Sequence, residues 1–166
     1  MAHRLGRRAD LLGLVGWVAL SLAAGAVGSV ATADATRTWY PTLDRPAFTP
    51  PGWVFGPAWT LLYILMGVAA WRVWRGVWRT RRLAAARGAL GLFLVQLAVN
   101  AAWSFTFFHF RLPGWAFVHI AVLWVLIVAT VMAFWRHDRP AALLLVPYLA
   151  WVSFASVLNF EIWRLN

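Results

Sequence analysis

Five apolar runs of about twenty residues each, separated by short connections, leave this chain few folds to choose from. They cover residues 11–33, 54–74, 88–110, 114–135 and 141–163, and a bilayer core takes ~20 apolar residues of helix to cross. Only helices and closed barrels satisfy their backbone hydrogen bonds in hydrocarbon, and runs this long read as helices. The expectation is an all-α integral membrane protein, a five-transmembrane-helix bundle, with residues 1–166 forming one domain. Composition agrees: the chain is 63% apolar and 12% charged, with mean hydropathy +0.70, outside the range of soluble domains. The first run follows His3, Arg4, Arg7 and Arg8 as a secretory signal would. It is long and has no clear cleavage site before Asp34, so it reads as a retained helix.

All fifteen basic residues are arginine, and their placement carries topology rather than a nucleic-acid signal. In a five-span arrangement Arg4, Arg7, Arg8, Arg72, Arg75, Arg79, Arg81, Arg82, Arg87, Arg136 and Arg139 share one side. Arg37, Arg45, Arg111 and Arg164 take the other. By the positive-inside rule the N-terminus is cytoplasmic and the first loop and C-terminus are outside. That count speaks to the bacterial cell membrane and leaves the outer membrane open. The cluster from Arg75 to Arg87 is a solvated loop or a holder of anionic lipid headgroups. Cysteine is absent, so no disulfide or thiolate metal site can form.

The first connection, residues 34–53, is the one long loop, and long ordered loops usually bind or cover something. Pro46, Pro50 and Pro51 stiffen it, so a cap over the outer mouth of the bundle is expected. Pro57 is placed in the first turn of a helix beginning near Val54, where its missing amide costs nothing. Beyond it Phe55, Trp59 and Tyr63 recur every four residues and share one helix face. Gln96, Asn100 and Trp103 share a face of the third helix, and Tyr148, Trp151, Ala155 and Asn159 a face of the fifth. At ~1.5 Å of rise per residue, Trp59, Trp103 and Ala155 lie at one level, roughly 8–12 Å below the loop-side end. Amides in hydrocarbon face the bundle interior, as ligand contacts or as glue between helices. A pocket walled by flat aromatics, with a few amide and phenol groups, suits a large planar apolar ligand such as a porphyrin, free or as haem. Its propionates would meet Arg37, Arg45 or Arg111.

The remaining tryptophans near span ends, Trp39, Trp53, Trp71, Trp74, Trp78, Trp115, Trp135 and Trp163, read as interfacial anchors, and Trp124 lies deeper. The five acidic residues are scattered at span ends and form no paired-carboxylate or nucleophile-base arrangement. No catalytic residue and no metal ligand set is assigned, and no cofactor is obligatory. His109 and His119 could ligate haem iron by chemistry alone, but a lone histidine near a helix end is ordinarily packed or hydrogen-bonded. Small residues at Ser21, Gly25 and Ser29, and at Ala84 with Gly88 and Ala85 with Ala89, permit close helix contact, between two copies or within one. No internal repeat is seen, and an odd number of spans argues against the two-half architecture of many transporters.

The segments Trp39-Tyr40, Leu43-Asp44-Arg45-Pro46, Pro50-Pro51-Gly52-Trp53, Pro57-Ala58-Trp59, Gln96-Leu97-Ala98-Val99-Asn100 with Trp103, Gly114-Trp115-Ala116, and Val146-Pro147-Tyr148-Leu149-Ala150-Trp151 with Val157-Leu158-Asn159-Phe160 run through nearly the whole chain. In order and spacing they resemble the translocator protein family, also called tryptophan-rich sensory proteins (TspO/MBR, the peripheral-type benzodiazepine receptor family), in its bacterial form. The resemblance implies a five-helix membrane protein, commonly a homodimer, that binds porphyrins such as protoporphyrin IX and, in animal relatives, cholesterol and benzodiazepine-site ligands. It implies a ligand pocket at Trp59, Asn100, Trp103, Trp115, Trp151, Ala155 and Leu158, roofed by the first loop. At Trp115 this competes with the anchor reading. The implied role is a receptor or sensor in tetrapyrrole metabolism or stress response. The alternatives are a transporter of porphyrin or another amphiphile, or a light- and oxygen-dependent protoporphyrin degrader using Trp59 and Trp151. Phe48 stands where many relatives have tryptophan, and the C-terminal run Leu158 to Arg164 lacks the tyrosine of the proposed cholesterol pattern, so sterol binding is not expected.

Overall fold

A computed structural model describes residues 6–80 and 83–166. Arg4, Arg81 and Arg82 of the arginine count, and the side chains of Trp78, Arg79, Ala84 and Ala85, lie outside the described residues. The chain runs α1 (Arg7–Thr32), α2 (Ala35–Thr38), a 3₁₀ turn (Tyr40–Thr42), α3 (Gly52–Thr80), α4 (Leu83–Ser104), a π turn (Phe105–His109), α5 (Pro113–Trp135), α6 (Arg139–Leu144) and α7 (Val146–Leu165). Five segments are long and apolar enough to cross a membrane: Arg7–Thr32, Gly52–Val77, Ala86–His109, Pro113–Trp135 and, α6 with α7, Arg139–Leu165. They match the expected runs to within four residues at every end. The protein is an integral membrane helix bundle.

Around the bundle the order is α1, α3, α7, α5, α4 and back to α1. The seam between α1 and α3 is set by glycine. A Cβ on Gly67 would stand 2.5 Å from the Val18 Cα and 2.9 Å from the Trp17 carbonyl oxygen, so only a residue without a side chain lets the two backbones meet there. The small-residue face of α1 is thereby used within the monomer: Ser21 is fully buried, Gly25 lies against the Tyr63 ring and Gly28 against Ser104. Ala89 is likewise buried inside the bundle.

The end away from the first loop is tied by charge. Arg72 pairs with Asp138 at 3.2 Å, and Asp138 also accepts from the Ala141 amide at 2.9 Å, capping α6. Arg75 reaches Asp10 at 3.5 Å, and the Trp71 indole donates to Asp10 at 3.1 Å. These pairs are part-exposed and position the helices more than they stabilise them. Between them and the loop lies a core in which Met66, Ala69, Phe93, Phe134 and Val152 are wholly buried.

Two prolines depart from expectation or from regular geometry. Helix α3 begins at Gly52 rather than near Val54, so Pro57 sits in its second turn and leaves the Trp53 carbonyl without its helical donor. The fifth span is not one helix. It breaks at Leu145, because Pro147 has no amide to give Leu143, and restarts with that proline in the first turn of α7. Segment α6 packs on α3 and α5, whereas α7 lies along α5 and meets α3 at few points. A gap between α3 and α7 results.

The glycine seam gives a matched pair of stability tests. Gly67→Ala should lower the thermal midpoint in detergent by an overpacking cost of about 1–3 kcal/mol. Gly91→Ala, where an added Cβ meets nothing within 4 Å, should leave the midpoint unchanged or raise it. Tryptophan fluorescence during a thermal ramp reads both.

Candidate functional site

The gap between α3 and α7, closed on the far side by α4 and α1, holds a cavity of about 740 Å³. Its walls carry eight of the eleven residues expected there: Phe55, Trp59, Tyr63, Asn100, Trp103, Trp151, Ala155 and Leu158. Periodicity brings all but Leu158 together, since each set occupies the inward face of its helix, and Leu158 is the position that only the family resemblance implied. The rings are close enough to act as one surface. Trp59 stacks on Tyr63 at 5.6 Å, meets Trp151 edge-on at 6.5 Å, and Trp151 is 5.9 Å from Phe55. Edge-to-face and offset pairs of this kind hold aromatic walls rigid.

Three expected residues do not line the cavity, for two different reasons. Gln96 and Tyr148 lie one turn deeper and form its footing. The Tyr63 hydroxyl donates to Asn100 Oδ1 at 2.6 Å, Asn100 Nδ2 donates to the Tyr148 oxygen at 2.8 Å, and the Tyr148 hydroxyl donates to Gln96 Oε1 at 3.0 Å. This relay spans α3, α4 and α7 with one proton direction throughout, and Asn100 is the only member bonded on both of its polar atoms. Trp115 is 68% exposed on the outer surface of α5 and does not line the cavity, a position that agrees with the anchor reading. Its neighbour Ala116 serves the site instead, accepting from the Trp103 indole at 3.0 Å and fixing that ring.

The first loop lies across the top. Thr36, Tyr40, Pro41, Arg45 and Pro50 face the cavity. Trp39, Tyr40 and Leu43 pack into a second apolar cluster with Phe107, Leu158 and Ile162, and Phe48 meets Phe154 edge-on at 6.3 Å. Asp44 and Asn166 exchange two hydrogen bonds of 3.0 Å, tying the loop to the end of α7. Arg45 lies 5.3 Å from the centre of the Tyr40 ring, and among the described residues no carboxylate pairs with it. Burial pushes the Tyr40 phenol up, against the pull of the Arg45 guanidinium, so the phenol stays neutral at physiological pH. Of the other two arginines considered for this end, Arg111 rests over Trp39 at 5.9 Å and Arg37 does not reach the cavity.

Some lining residues were not foreseen. Phe107 and Phe108 enter because α4 ends in a π turn, closed by the Phe110 amide on the Phe105 carbonyl at 2.9 Å. Phe107 then stacks on Trp103 at 5.3 Å. Helix α1 contributes Leu22, which no sequence signal singled out, and Gly25 and Ser29, whose spacing had signalled only close packing. Asn159 donates to the Pro113 carbonyl at 2.8 Å but leaves its buried Oδ1 unpaired, and the buried Trp151 Nε1 is unpaired too. The wall therefore offers one spare acceptor and one spare donor amid rings. His119 has both ring nitrogens engaged, with Thr106 and the Val99 carbonyl at 3.0 Å each, while His109 lies exposed beside Phe105 and Phe110. Among the described residues no three potential metal ligands gather.

Tyr63 and Asn100 should be energetically coupled. Asn100→Ala strands a buried phenol and should cost about 1–3 kcal/mol, whereas adding Asn100→Ala to Tyr63→Phe should cost clearly less, because that phenol is already gone. A double-mutant cycle of thermal unfolding in detergent measures the difference.

Comparison with known proteins places this geometry. A model of the TspO/MBR family matches residues 17–164. The tryptophan-rich protein TspO of Chlorobaculum tepidum is 44% identical over 157 residues, covering 95% of this chain and 98% of the relative. The translocator protein of Bos taurus is 38% identical over 152 residues, 92% of this chain and 89% of its own. The tryptophan-rich sensory protein of Cereibacter sphaeroides is 39% identical over 153 residues, 90% and 92% respectively.

Proposed function

Because the chain belongs to the TspO/MBR family, we propose that it is a membrane receptor of the sensory type, holding a porphyrin such as protoporphyrin IX or haem in the cavity between α3 and α7. The observation that carries this reading is the pairing of a continuous aromatic wall, Phe55, Trp59 and Trp151, with a cation at the mouth, Arg45, which rests on Tyr40 and has no carboxylate partner among the described residues. A tetrapyrrole is a flat apolar disc with carboxylates on one edge. Its disc stacks on the indoles, and its carboxylates meet Arg45, whose planar guanidinium suits them. The names of relatives, "sensory protein" and "translocator protein", agree with a protein that responds to or handles a small ligand. The footing of the cavity favours holding over passage: below Tyr63 and Asn100 the path is filled by wholly buried Met66, Ala69 and Phe93.

In this reading the arginine-rich end, with the N-terminus, faces the cytoplasm and the first loop faces out. A reporter active only outside the cytoplasm, fused after Asn166, should be active in cells. Silence there with activity in an N-terminal fusion reverses the topology.

The closeness of Trp59 to Trp151, 6.5 Å, favours one second reading, light- and oxygen-dependent breakdown of the bound pigment. One experiment addresses both. Protoporphyrin IX titrated into the purified protein should quench tryptophan fluorescence, and Trp59→Phe and Trp151→Phe should each weaken binding, by several-fold. Arg45→Gln should weaken protoporphyrin but not its dimethyl ester. Unchanged affinity in both tryptophan variants would remove the cavity from consideration. Illuminating the same samples in air tests the second reading, which requires pigment absorption to fall faster in wild type than in either tryptophan variant.

A further inference from the structure

The cavity is not walled equally on all sides. On α4 and α7 every residue that lines it is buried or half-buried, whereas Ala26 and Ser29 on α1 and Gly56 and Thr60 on α3 line it and are exposed as well. A residue that borders a cavity and also faces out marks an opening. Thr36, Pro41 and Arg45 on the loop meet the same description, so the opening begins at the loop and continues down the seam between α1 and α3. Thr60 is eight residues into α3 from Gly52, and Ala26 six residues short of the α1 end at Thr32. At ~1.5 Å per residue the opening descends roughly 9–12 Å along the helices, to the depth of lipid tails rather than headgroups. Its lower edge is where Tyr63 closes on Gly25, above the Gly67 contact with Val18.

The rim is made for an apolar body to pass. A Cβ added at Gly56 would meet nothing within 4 Å, so the gap is free of side chains at its middle. The two hydroxyls on the rim are bonded back to their own helices, Thr60 to the Gly56 carbonyl at 2.9 Å and Ser29 to the Ala26 carbonyl at 2.7 Å. They present no unpaired donor toward hydrocarbon, where one would cost several kcal/mol. Arg45, exposed and facing the same cavity, stands above the opening on the loop.

We propose that the site takes its ligand sideways out of the bilayer through this mouth between α1 and α3, which makes the ligand class a membrane-dissolved planar amphiphile whose acid end stays at headgroup level beside Arg45. The inference rests on reading the cavity as a ligand site. A disc dissolved in the tails arrives edge-first at the mouth while its carboxylates remain in the interface, so the charged end never crosses hydrocarbon. The roof loop need not open for loading.

The chain has no cysteine, so a single thiol can be placed and blocked after folding, which separates obstruction from misfolding. Gly56→Cys, reconstituted in lipid nanodiscs, is labelled with N-cyclohexylmaleimide, and Val118→Cys, exposed on α5 at a similar depth from the loop-side end, is labelled in the same way as a control. Protoporphyrin IX binding is followed by stopped-flow quenching of tryptophan. The label at residue 56 should slow association and dissociation together, each by about tenfold or more. The label at residue 118 should change neither. Wild-type association should follow the pigment-to-lipid ratio rather than the bulk pigment concentration. Unchanged rates with label at residue 56, equal slowing at both sites, or weakened affinity through faster release would each overturn the route while leaving binding intact. Failure of the residue 56 thiol to accept the reagent, when that at residue 118 does, would show the mouth covered and overturn it too. Absence of quenching in wild type would instead remove the porphyrin reading beneath it.

Discussion

A helix inside a bilayer has no water to replace a lost backbone hydrogen bond, and this fold turns on one place where the chain gives such a bond up. Pro147 lacks the amide that Leu143 would use, so the fifth span ends as α6 and begins again as α7. Discontinuity in a spanning helix is tolerated where neighbouring groups take up part of the freed backbone, and at this break the Leu145 amide turns back onto the Ala142 carbonyl at 3.0 Å. What the break gains is divergence. The first part of the span can stay on α3, closing the core, while the second follows α5 and leaves α3 behind. Across that divergence the Trp59 and Trp151 rings meet edge-on at 6.5 Å.

The cavity is thus bounded by features of opposite kinds. Glycine brings α1 and α3 together below it, a polar relay from Tyr63 to Gln96 gives it a footing, and proline separates α3 from α7 above. Each acts by subtraction or by pairing inside hydrocarbon, where hydrophobic burial alone cannot choose one helix arrangement over another because lipid tails are as apolar as side chains. The relay adds register. Three helices must stand at one height for the Tyr63, Asn100 and Tyr148 groups to meet at 2.6 and 2.8 Å.

Much of this was legible in the sequence, and the gaps have physical causes. Hydropathy located all five spans because each run is long against the thickness it must cross, and helical periodicity chose the inward faces of α3, α4 and α7. Periodicity fixes direction around a helix but not depth, so Gln96 and Tyr148 pointed correctly and still fell a turn below the cavity. It fails outright where the backbone leaves the α geometry, and Phe107 and Phe108 went unseen for that reason. Small-residue spacing at Ser21, Gly25 and Ser29 announced a close contact without naming the partner, since a second copy and a neighbouring helix ask for the same residues. The break at Pro147 was hidden because apolar character runs straight through it. At Trp115 the interfacial belt and the family pattern made rival claims on one indole, and its outward position follows the belt.

The reciprocal pair between Asp44 and Asn166 has a practical side. It fastens the roof loop to the last turn of α7, and Asn166 also donates to the Ile162 carbonyl at 2.8 Å, so the fastening is continuous with that helix. Ile162 itself borders the cavity. Whatever is joined directly after Asn166, an affinity tag or a fluorescent partner included, begins at the clasp that keeps the roof down. A handle chosen for convenience at that end therefore acts as a distant adjustment of how firmly the cavity is covered.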